Sequence, residues 1–139
     1  MPTSRTQTLN RLLWTAQTAT ALLFLFAGSM KFIMPAEKMQ QGPIVLPMAF
    51  LYFIGISECL GALGLVLPGL LRIHTWLTPL AATGLTIIMI GATTITVPAM
   101  GVPPALLPAI VGIVTAWIGY ARTGIAPIAD ARRRALRTA

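Results

Sequence analysis

Residues 50–68, FLYFIGISECLGALGLVLP, are apolar for almost the length of a bilayer crossing and hold one carboxylate, Glu58, at their centre. A helix needs about 20 such residues to cross the hydrocarbon. A charge in its middle costs about 3 kcal/mol when it faces lipid. Such a residue therefore turns to a protein interior, finds a partner or takes up a proton. The segment cannot satisfy Glu58 alone, so other spans must enclose it.

Composition agrees. Hydrophobic residues make up 56% of the 139-residue chain and charged residues only 9%, against about 25% charged in a soluble domain. The length allows one domain. A formal charge of +7 suits nucleic acid in principle, but apolar spans leave no basic groove, and nucleic-acid binding is not expected. A single cysteine, Cys59, removes any internal disulfide or CxxC pair.

Along the chain, four spans are expected at about residues 11–33, 48–68, 75–97 and 104–122, followed by a basic tail over 123–139. Asn10 is placed to cap the first, and Pro68-Gly69 to stop the second. Arg5 and Arg11 before an apolar run also suit a signal peptide, but the run is too long for one. Residues 34–47 carry three prolines and a glycine and are too broken to span, with room for a short interfacial turn at 36–41. Eight of the ten basic residues (Arg5, Arg11, Arg72, Arg122, Arg132, Arg133, Arg134 and Arg137) fall on one side of this arrangement, and Lys31 and Lys38 on the other. The positive-inside rule then predicts an all-α, integral membrane four-helix bundle with both termini in the cytoplasm, N-in and C-in. Trp14, Trp76 and Trp117 lie near the cytoplasmic ends of spans as interface anchors, with Tyr120 close by.

Helical spacing picks out inward faces. They are Gln17, Thr20, Phe24, Gly28 and Lys31 in the first span, and Leu51, Gly55, Glu58, Ala62 and Leu65 in the second. The third offers Thr83, Thr86, Ile90 and Thr93, and the fourth Pro108, Gly112, Thr115 and Gly119. At a rise of about 1.5 Å per residue, Glu58, Thr20, Thr86 and Thr115 share a level near the midplane. A polar cluster of these four is expected, with Gln17 on the cytoplasmic side. Lys31 falls about 15 Å further out by the same rise, so a direct ion pair to Glu58 requires tilted or staggered helices. Each threonine can instead bond the carbonyl of its own preceding turn.

The segment LLFLFAGSMKF, then FIGISECLGALGLVLP, an Arg-bearing turn and WLTPLAATGL resemble the DoxX and DoxX-like membrane proteins over about residues 12–92. The resemblance rests on AG-x-x-K together with G-x-x-E-x-x-G-x-x-G-L-x-L-P. It implies a four-helix protein of the bacterial inner membrane, associated with thiol, sulfur or quinone redox systems. It also implies that Lys31 and Glu58 are the family's intramembrane Lys and Glu, and that Gly28, Gly55 and Gly61 are its small positions. Relatives carry a His near the end of the third span where this chain reads GATTITVP, so a role tied to that His does not carry over.

Three functions are open, the first of them implied by the resemblance. The favoured one is a non-catalytic membrane subunit. It binds a quinone or another lipophilic molecule near Glu58, or anchors a soluble oxidoreductase at the cytoplasmic face. The alternative is a small membrane enzyme with Glu58 as general acid or base on a lipophilic substrate and Lys31 or a threonine as second group. The third is an oligomeric transporter or channel, since four spans without duplication need copies to form a path. Ligand contacts are expected from Gln17, Thr20, Gly28, Gly55, Thr86 and Thr115. Metal is not expected, because His74 is the only histidine and the acids are Glu37, Glu58 and Asp130. Cys59 reads as a small apolar filler. The Arg-rich tail reads as a contact with anionic lipid of the bilayer, worth about 1 kcal/mol per residue.

Overall fold

The computed structural model describes residues 4–129 and residue 135. Asp130, Arg132, Arg133, Arg134 and Arg137 of the basic tail lie outside the described residues. Five α-helices form: α1 (Ser4–Ile33), the single turn α2 (Ala36–Met39), α3 (Met48–Leu71), α4 (Leu77–Met100) and α5 (Val102–Tyr120). One π-helical turn, Ala121–Ile125, prolongs α5. The described residues contain no strand. With its π turn, α5 joins α1, α3 and α4 as the four segments long and apolar enough to cross a membrane.

The helices run alternately up and down, which puts the start of α1, the end of α5 and the α3–α4 turn at one end of the bundle. The 34–47 segment and the α4–α5 turn lie at the other. Broad contacts join α1 to α3, α3 to α4 and α4 to α5, and a narrower α1–α5 contact closes the ring. Inside lie Phe24, Ala62, Leu65, Ala82, Leu85 and Ile118, all nearly inaccessible. Leu22, Phe26, Leu60, Ile87, Ile110 and Ile113 point outward and are more than half exposed. Large apolar side chains on the outside of every span are what a lipid solvent asks for.

Helix ends differ from the expected ones for identifiable reasons. The first helix starts at Ser4, not near Arg11, because nothing between Ser4 and Asn10 breaks a helix. Asn10 therefore lies inside α1 and does not cap it. Pro68 does not stop α3. It forfeits one N–H in the last turn, but its carbonyl accepts the amides of Arg72 and Ile73, and the helix ends instead at Arg72 with φ 54°. Pro98 is likewise carried in the last turn of α4, which ends at Gly101 with φ 88°. That left-handed conformation suits glycine. Pro103 and Pro104 then open α5, where missing N–H groups cost nothing.

The inward faces of α1 and α3 match the spacing: Gln17, Thr20, Phe24 and Gly28 are buried, as are Gly55, Glu58, Ala62 and Leu65. The face of α4 does not. Its buried residues are Thr78, Ala82, Leu85 and Met89, while Thr83 and Ile90 face outward. Thr83 is satisfied there by the carbonyl of Pro79 at 2.9 Å, as Thr93 and Thr96 are by Met89 and Ala92. A threonine that bonds its own helix has no need of a protein neighbour. On α5, Gly112, Thr115 and Gly119 are buried as expected, and Pro108 is half-buried.

Candidate functional site

Glu58 projects from the middle of α3 toward α1 and is 4% exposed. Its carboxylate accepts a hydrogen bond from Lys31 Nζ at 2.6 Å, the one ion pair among the described residues. Two features of the sequence create this contact. Gly28 and Gly55 bring the backbones of α1 and α3 together. A Cβ on Gly28 would lie 2.8 Å from the Gly55 carbonyl oxygen and 2.7 Å from Cys59 Sγ. Small residues permit such an approach in membranes. The helices are also antiparallel, and each Cα–Cβ bond leans toward its own N-terminus. Lys31 thus leans back down α1 while Glu58 leans up toward it. The two charges meet despite the axial offset expected from level spans.

Replacing Gly28 by alanine should lower stability by about 1–3 kcal/mol, because the obstruction is a backbone oxygen that no rotamer change removes. Thermal melting of the purified variant in detergent checks this, and an unchanged midpoint would refute the close approach.

A groove of about 400 Å³ opens beside the pair, between α3 and α4. Lys31 and Glu58 form its polar spot; Phe50, Phe53, Ile54, Ile88 and Ala92 are among its apolar walls. Ile44 and Leu46 from the 34–47 segment border it as well. Gln40 Nε2 donates to the carbonyl of Leu46 at 2.9 Å and steadies that segment. Phe53 and Ile87 at the rim are each about two-thirds exposed, so the groove meets the lipid-facing surface.

The expected four-residue midplane cluster separates into independent parts. Glu58 pairs with Lys31. Thr86 and Thr115 face each other across α4 and α5, with hydroxyls 2.9 Å apart. Each also reaches its own helix, Thr86 at the Ala82 carbonyl (2.7 Å) and Thr115 at that of Gly112 (2.9 Å). Two hydroxyl hydrogens serve three contacts, so one is always without its hydrogen. Thr20 is buried in α1.

Gln17 belongs elsewhere, toward the end of the bundle where α1 starts and α5 ends. Its Nε2 donates to the Leu65 carbonyl at 2.6 Å, and its Oε1 accepts from Arg122 Nε at 2.5 Å. Arg122 Nη1 donates to Asn10 Oδ1 at 2.7 Å and to the Ala126 carbonyl at 3.0 Å, and the guanidinium lies 5.5 Å from the Trp14 ring centre. At 3% exposure Arg122 is an interior residue. The sequence reading missed this, having counted Arg122 only as a surface positive. The available signal was Gln17, a buried amide that needs a donor. Trp14 is correspondingly more than an interface anchor, since it packs inward against Gly69, whereas Trp76 is 59% exposed. His74 is exposed in the α3–α4 turn. Among the described residues no three His, Cys, Asp or Glu side chains converge.

Comparison with known proteins places this geometry in a family. No curated protein and no solved structure matches the chain. The DoxX-like family matches residues 15–119, which include Lys31, Glu58, both apposed glycines and the groove walls from α3 and α4. The chain is a multi-pass membrane protein and belongs to the DoxX-like family.

Proposed function

We propose that the protein is a non-catalytic membrane subunit that holds a lipophilic molecule in the α3–α4 groove, with the molecule's polar head at Lys31 and Glu58. The supporting observation is the groove itself, apolar over most of its walls, with the Lys31–Glu58 pair as its charged part and Thr96, whose hydroxyl is bonded to the Ala92 carbonyl, as its other polar side chain. An ammonium has three hydrogens. Those of Lys31 reach Glu58 and, at 3.4 Å, the Ala27 carbonyl, leaving one to donate to a ligand carbonyl. A quinone has that pattern, an apolar body with a carbonyl acceptor, and the redox association implied by the family resemblance points the same way. The arginine count assigns both termini to the cytoplasm, and the family resemblance points to a bacterial inner membrane. A soluble oxidoreductase would then dock at that face, where Arg5, Arg11 and Arg72 are exposed.

Gly91 provides the test. It lines the groove, and a Cβ there would meet nothing within 4 Å. Gly91→Phe should therefore weaken binding of a short-chain benzoquinone by at least about tenfold, worth 1.4 kcal/mol, without lowering the melting temperature. Titration of purified wild type and variant with the quinone measures both. Wild type that binds no quinone, and recovers no oxidoreductase in a detergent pull-down, would sink the proposal.

The same border favours a second reading, in which Glu58 acts as acid or base on a lipophilic substrate with Lys31 beside it. Turnover that disappears in Glu58→Gln with the fold intact would support it over the first.

A further inference from the structure

We propose that the end of the bundle where α1 starts and α5 ends holds a second site, which takes a phosphate-bearing anion at Arg72, in front of the buried Arg122. A cavity of about 820 Å³ lies there between the first turns of α1, the end of α3 and the chain after the π turn. It exists because residues 126–129 fold back over the bundle. Ala126 is held through its carbonyl by Arg122 and through its amide by the Ala121 carbonyl at 2.8 Å, and Ile128 packs against Gly69.

The walls carry cationic and neutral polar groups. Arg72 lines the cavity directly, with Thr6, Gln7 and Asn10 on the α1 side. Arg122 stands behind the wall, touching three residues that form it: Asn10, Trp14 and Ala126. Its Nη2 is buried and has no hydrogen-bond partner among the described residues. A buried charged donor left unmatched is costly. No described carboxylate offsets it, since Glu58 pairs with Lys31 and Glu37 lies in α2 at the opposite end. The Arg72 guanidinium on the wall, with the charge of Arg122 behind it, suits the tetrahedral oxygens of a phosphate, which arginine binds through paired N–H donors. Leu70, Ile125 and Ile128 add an apolar lining that an acyl chain could follow. The phosphate can thus belong to a phospholipid head or be free in solution.

Full-length protein stripped of lipid in neutral detergent separates the sources. One arm titrates inorganic phosphate by calorimetry. The other adds phosphatidylglycerol or phosphatidylcholine and counts retained lipids by native mass spectrometry. Saturable binding in either arm is expected, and the arm that shows it names the source. Arg72→Gln, a change at an exposed position, should weaken that binding about tenfold, and Arg122→Lys should weaken it while keeping the charge. The proposal is overturned if neither arm shows saturable binding, or if Arg72→Gln binds like wild type. Binding that emerges only in Asp130→Asn would overturn it too, because the chain would then supply the anion itself.

Discussion

Glu58→Leu should cost the protein about 3–5 kcal/mol of stability, the penalty for stranding one member of a buried ion pair. The stranded group is Lys31, whose ammonium sits at the Glu58 carboxylate 2.6 Å away and is only partly exposed. Lys31→Met should be comparably harmful, since it leaves Glu58 at 4% exposure with no cation. The double variant, with both charges gone and volume roughly kept, should recover most of the loss, because apolar replacement of a whole buried pair is often neutral. Chemical denaturation of the four proteins in one detergent gives the coupling energy directly. Additive single effects would mean that the two groups do not interact.

Arg122→Met should cost about 3 kcal/mol and act at the opposite end of the bundle. The change leaves Gln17 Oε1 buried without its donor and removes the bonds to Asn10 and Ala126. Because Gln17 also grips the Leu65 carbonyl, Arg122 links α5 through α1 to α3. The α1–α5 contact is the narrowest in the ring, so few other interactions replace it. Hydrogen exchange should rise over residues 121–126 and in the first turns of α1, with exchange around Glu58 unchanged. Exchange like wild type at both places, with an unchanged melting midpoint, would refute the linking role.

Much of the bundle was legible in the sequence, for physical reasons that differ between helices. In α1 and α3 the inward face is marked by residues that lipid does not tolerate, Gln17, Lys31 and Glu58, and by glycines whose only use is close approach. In α4 the marks were threonines. These carry no such information, because a hydroxyl bonded to the preceding turn is already satisfied in lipid; Ala82, Leu85 and Met89 form the buried face instead. The direct Lys31–Glu58 pair was open to the sequence only as a geometric conflict. The resolving fact, that each side chain leans toward the N-terminus of its own helix, is general; the Gly28–Gly55 register that makes the two converge had to be seen. Arg122 stayed hidden because a charge near a helix end looks like a surface charge until its partner, 105 residues away, is located.

The pairing of Lys31 with Glu58 can be measured in a bilayer. The chain has two lysines and two glutamates, so a Glu37→Gln, Lys38→Arg background leaves one of each. Solid-state NMR dipolar recoupling between ¹⁵Nζ of lysine and ¹³Cδ of glutamate then reads a single distance in lipid. Strong dephasing, as a 2.6 Å Nζ–Oε2 contact requires, is the expected result. No measurable coupling would contradict the buried pair, and with it the groove's polar spot.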